Sequence, residues 1–137
     1  MVYRIPREPT AARVAAWRKL TRLGALPLQD AVWVVPSSSR NREHFQWIAS
    51  EIAEIGGEAS MFDADQLLSN ADPPLRERFE APVREAYEEI LAALKRRKPD
   101  LAALSKRYQQ VKQRDFFRCP LGEKVRARLL VAEGGRP

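Results

Sequence analysis

The sequence predicts an α+β fold, and three observations predict it. Short β-prone runs alternate with helical apolar stripes between Val2 and Asp63. From Leu75 onward apolar residues recur only at helical spacing. Gly56-Gly57 and Pro73-Pro74 punctuate the chain between these segments.

Val2 to Ile5 reads as a strand closed by Pro6. Arg7-Glu8-Pro9-Thr10 opens a helix that runs to about Leu23 and stops at Gly24, a natural residue for a helix end. On that helix Ala16, Trp17, Leu20 and Leu23 share one face, and Arg18, Lys19 and Arg22 lie opposite. Arg13 projects between Trp17 and Leu20, so its guanidinium must reach outward or find a partner. Ala25 to Gln29 and Ala31 to Val35 are two further strands, the second β-branched and aromatic enough to be central. Ser37 to Ser39 form a turn and cap a helix from about Arg40 to Ile55, whose stripe is Phe45, Ile48, Ile52 and Ile55. Glu58 to Asp63 alternates and reads as a last strand. Trp17, Trp33 and Trp47 read as core or core-edge residues.

The order is β-α-β-β-α-β. Right-handed crossovers turn it into a ferredoxin-like plait, a four-stranded antiparallel sheet with two helices on one face. Residues 1–72 are therefore expected to form an α+β domain. Residues 73–137 are expected to form a helical extension packed on it as one structural unit. Leu75 to Arg97 carries the stripe Leu75, Phe79, Val83, Tyr87, Ile90, Leu94. After the turn at Lys98-Pro99-Asp100, Leu101, Leu104, Tyr108 and Val111 continue a second helix, so the pair is an antiparallel α-helical hairpin. A last short helix follows from about Leu121 to Glu133 and stops at Gly134-Gly135.

Composition excludes several classes. The 137 residues are 45% apolar and 31% charged, a globular balance. One cysteine, Cys119, rules out an intrachain disulfide and a paired-cysteine metal site, and one histidine, His44, rules out a histidine cluster. MVYRIPREPT lacks the apolar core of a signal peptide, and the longest apolar run, Ala31 to Val35, is far short of a membrane span. These features predict a cytoplasmic protein with no membrane contact, no metal and no cofactor.

The net charge of +6 is unevenly spread. Residues 1–24 carry net +5, residues 25–72 net −6 and residues 73–137 net +7. Between Lys95 and Arg128 twelve basic residues face only Asp100, Asp115 and Glu123. Such asymmetry points to a polyanion as partner, the plainer alternative being a solvated helix face. The residues expected to contact DNA phosphates are Arg18, Lys19 and Arg22 on the first helix, and Lys106, Arg107, Lys112 and Arg114 near the C-terminus.

Other candidates carry less chemistry. Ser37, Ser38, Ser39, Arg40 and Arg42 join hydroxyls and guanidinium groups to a helix N-terminus, which suits a tetrahedral oxyanion such as chromate, with Arg118 as a further candidate. The alternative is an ordinary serine cap. Cys119, among Arg114, Arg118 and Lys124, is a redox candidate; a small residue filling a gap is the commoner outcome. Phe116 and Phe117 could stack bases, but paired aromatics at helix ends more often pack. Asp63, Asp65 and Asp30 are too few for a divalent ion unless they converge.

IPREPTAARVAAWRKLTRLGALPLQDAVWVVP, REHFQWIASEIAEIGGEASMF and KRYQQVKQRDFF together resemble the N-terminal domain of ChrB, the chromate resistance protein. The likeness runs over roughly residues 3–118, with the pattern from Arg13 to Pro36 and the RDFF element at Arg114 to Phe117 as its specific parts. More distantly, the plait is similar to the C-terminal domain of the phenylacetate repressor PaaX and to a small CRISPR integration-scaffold protein, through LQDAVWVVP. The resemblance implies association with chromate resistance and a role in transcription regulation. Longer members carry a further C-terminal domain. The aspartate that nuclease-like relatives place after the first strand is missing here, where Arg4 and Arg7 stand. The expectation is a non-enzymatic, DNA-binding regulator, acting as a homodimer because a plait leaves one sheet face open. The alternatives are a chromate- or oxyanion-binding accessory protein and a metal-dependent nuclease.

Overall fold

The structure, a computed structural model, describes residues 1–8 and 10–134. It is α+β, with five helices and one four-stranded antiparallel sheet among the described residues. Pro9, read as part of a helix entry, and Gly135, read as part of the last stop, lie outside them. The chain divides into two compact units, Met1–Ser69 and Asn70–Pro137.

The first unit runs β1 (Val2–Arg4), α1 (Thr10–Arg22), β2 (Leu26–Gln29), β3 (Val32–Val34), α2 (Ser39–Glu54) and β4 (Glu58–Ser60). The sheet order is β2-β3-β1-β4, so the β-branched VWV strand is interior, as its composition predicts. Val2 pairs with Val32 on one side and with Ser60 on the other. The amino terminus is stitched into the sheet: the Met1 ammonium donates to the Trp33 carbonyl at 2.6 Å, and the Trp33 N–H donates back to Met1 at 2.8 Å. Burial holds that ammonium below its ordinary range.

Local chemistry sets the helix ends. α1 stops because Gly24, at φ +87°, enters the left-handed region. That lets Gly24 and Ala25 donate to Thr21 and Leu20 and satisfy two end carbonyls. α2 begins where Ser38 Oγ accepts the Asn41 N–H at 3.1 Å. It ends at Gly56 and Gly57, and a Cβ on Gly57 would stand 2.5 Å from the Arg4 carbonyl. Only glycine lets the chain turn into β4 this close to the end of β1.

Both helices share one core with the sheet: Ala16 and Leu20 from α1, Phe45, Ile48 and Ile52 from α2, and Trp33 from β3. Each fully buried side chain of this kind contributes roughly 1.5–3 kcal/mol. Two expectations need correction. Trp17 and Trp47 are not core residues but are 54% and 66% exposed. The face of α1 that packs is built on Ala12, Ala16 and Leu20, continued by Leu23 just past the helix end, and Trp17 stands beside it. The last strand ends at Ser60 rather than Asp63, because β1 offers it no partner beyond Val2.

The second unit contains α3 (Leu75–Leu94), α4 (Leu101–Gln113) and α5 (Pro120–Ala132). Asp100 caps α4 by accepting the Ala103 N–H at 3.1 Å. α3 ends three residues before the predicted Arg97 and leaves Lys95 to Lys98 as a basic turn. α5 is as long as α4 and packs on both other helices, so the predicted hairpin and short last helix form a three-helix bundle. Val83, Tyr87 and Ile90, with Tyr108 and Val111, close its core on Val125 and Leu129.

Candidate nucleic-acid interface

The charge segregates with the two units. Met1–Ser69 holds eight basic and eight acidic residues, whereas Asn70–Pro137 holds sixteen basic and ten acidic. The whole excess therefore resides in the second unit. Within it α3 is the acidic helix, and the basic residues gather from Lys95 to Arg128.

The predicted phosphate contacts fare unequally. On α1, Arg18 and Arg22 are exposed, but the Lys19 ammonium is held by Glu51 of α2. Arg13, which periodicity set beside the apolar face, is exposed and joins them. On α4, Lys106 is exposed and Arg107 half-buried. Lys112 is exposed, with its ammonium 5.9 Å from the Tyr108 ring centre. Arg114 ends α4, half-buried, and its Nε has no hydrogen-bond partner among the described residues. Burial, then the charge of Arg107, hold its guanidinium below the usual arginine range. Of the twelve basic residues from Lys95 to Arg128, only Arg126 is ion-paired among the described residues, with Glu123.

The oxyanion candidates are mostly taken up by the chain itself. Ser38 serves as the cap of α2. Ser37 donates its hydroxyl to Asp63 Oδ1 at 3.0 Å. Arg42 Nη2 donates to Asp63 Oδ2 at 2.8 Å and to Ser37 Oγ at 3.1 Å. The Asp63 carboxylate thus stands where an external anion would have to bind, and the same pairing engages Asp63 itself. Ser39 and Arg40 are exposed, and Arg118 belongs to the second unit, exposed, at φ +51°.

Cys119 is half-buried and packs against the core of the second unit. Its N–H donates to Asp115 Oδ1 at 2.8 Å, so a carboxylate stands at its backbone, where the sequence pointed only to cations. Phe116 and Phe117 pack rather than present their faces. Phe116 meets Phe79 edge-on at 5.8 Å, Phe117 lies 6.2 Å from Phe79, and the Arg76 guanidinium covers Phe117 at 4.6 Å. A cavity of about 360 Å³ adjoins these rings. Its charged lining groups are already engaged: Arg84 with Glu77, Glu80 with Arg76, and Asp115 with Tyr87.

Among the described residues no three His, Cys, Asp or Glu side chains stand together as a metal site, and no helix is long and apolar enough to cross a membrane. A family model described as "Protein ChrB, N-terminal" matches residues 13–102, well over half of the chain. No curated protein and no solved structure matches.

Proposed function

Because the chain belongs to the ChrB N-terminal family, which is associated with chromate resistance, we propose that it is a non-enzymatic regulatory protein that binds DNA through its basic surfaces. One observation carries the reading. Eleven of the twelve basic residues between Lys95 and Arg128 have no carboxylate paired to them among the described residues. Cations kept free of internal partners are available for phosphates. The sheet order β2-β3-β1-β4, with α1 and α2 as the two crossovers, supports a ferredoxin-like plait for the first unit. Exposed Val2 and Leu28 on its strands support self-association.

The test is a gel-shift series with the promoter of a chromate-resistance operon. If six or more phosphates are contacted, raising salt from 50 to 200 mM weakens binding by about 10³-fold or more. Affinity that stays level across the series removes phosphate contact, and with it this reading.

A further inference from the structure

The first unit exposes two indole rings on its helical layer, Trp17 on α1 and Trp47 on α2. An exposed aromatic ring offers a stacking surface when the groups around it favour the same ligand. The charged frames of the two rings differ. Trp47 has Glu43 and Glu51 one helical turn to either side, which repels a polyanion. Trp17 has Arg13 one turn before it and Arg18 next to it, and α1 contains no acidic residue. At the helical period Arg13, Trp17, Val14, Arg18 and Arg22 fall on one exposed half of the helix. Among the described residues none of these three arginines is ion-paired. Only Lys19, on the flank of α1, is given a carboxylate.

An exposed ring framed by unpaired guanidinium groups matches a nucleotide. The arginines meet phosphates and the indole meets the face of a base. In a duplex the base faces are already stacked on one another, so the base must be unpaired. We propose that the outer face of α1 binds single-stranded nucleic acid, with Trp17 stacked on an unpaired base and Arg13, Arg18 and Arg22 on the flanking phosphates. This rests on the DNA-binding reading above and adds to it a contact made only with a strand that is single or locally melted.

The test measures binding of the full chain to a labelled single-stranded oligodeoxynucleotide and to the duplex of the same sequence, at fixed salt. Trp17→Ala weakens single-strand binding by about 5- to 150-fold, the range for loss of one stacked base, and leaves duplex binding unchanged. Trp17→Phe, which keeps a ring, retains most of the affinity, and Trp47→Ala changes neither ligand. In a Trp47→Phe background, the single strand quenches tryptophan emission more than the duplex does. Should Trp17→Ala lower the yield of folded protein, the phenylalanine variant and the quenching still decide. Wild-type single-strand affinity in Trp17→Ala, with duplex binding intact, overturns the stacking role and leaves the DNA reading standing. Equal losses on both ligands also overturn it. No binding to either form removes both.

Discussion

Replacing Asp115 by alanine destabilises the helical unit by about 2–4 kcal/mol, because one carboxylate joins three helices and the change strands two donors. Asp115 Oδ2 accepts the hydroxyl of Tyr87 on α3 at 3.0 Å. Its Oδ1 accepts the N–H of Cys119, which caps α5, at 2.8 Å, and Asp115 itself follows the end of α4. For a unit of this size the loss lowers the melting temperature by about 10–25 °C, read by circular dichroism. Asp115→Asn keeps one acceptor and falls between. A melting temperature unchanged in Asp115→Ala would show that the junction holds by apolar packing alone. The same contact gives stability a pH dependence. Burial first, then the bond to Asp115, push the Tyr87 hydroxyl above the ordinary tyrosine range. An unfolded tyrosine ionises near pH ~10, while the folded one keeps its proton. The stabilisation is therefore complete below that pH and is lost as pH rises above it toward the folded value. Tyr87→Phe flattens this alkaline decline. It does not abolish it, because burial also raises Tyr108.

What the sequence made legible was local. The stops at Gly24 and Gly56, the serine cap of α2 and the turn at Lys98-Pro99-Asp100 depend on one or two neighbouring residues, and the helices end within a few residues of those signals. The length of β4 was not legible, because alternation continues to Asp63 while the pairing is limited by a three-residue partner far away in the chain. The exposure of Trp17 was missed because an aromatic was taken to define the packed face. In α1 small alanines and Leu20 do that work, and the indole is left outside. The site divides along the same line. Periodicity found the outward arginines, but what neutralises a cation is a tertiary fact. Glu51 lies 32 residues from Lys19, and Asp63 lies 21 from Arg42. No local pattern separates a guanidinium held by a distant carboxylate from one left free. That distinction decides whether a basic residue is a candidate contact or part of the scaffold.

Changing Lys106, Arg107 and Lys112 together to glutamine tests that distinction directly. Glutamine is nearly as good a helix former as lysine or arginine and keeps much of the side-chain stem, so α4 retains its shape while losing three charges. If all three residues meet phosphates, each removes one counterion-release contact. The slope of log affinity against log salt then becomes shallower by roughly 2–3 units, and affinity at about 0.1 M salt falls on the order of 10²–10³-fold. Arg126→Gln on α5 is the companion, because that guanidinium is already held by Glu123 at 3.2 Å. A paired cation must break its bridge before it can serve a phosphate, so its removal weakens binding only a few-fold and leaves the slope nearly unchanged. If the triple variant keeps the wild-type slope, α4 does not lie on the DNA. If Arg126→Gln costs as much as any one of the three, the molecule is felt only as a diffuse positive body, and the pairing of its residues is irrelevant to recognition.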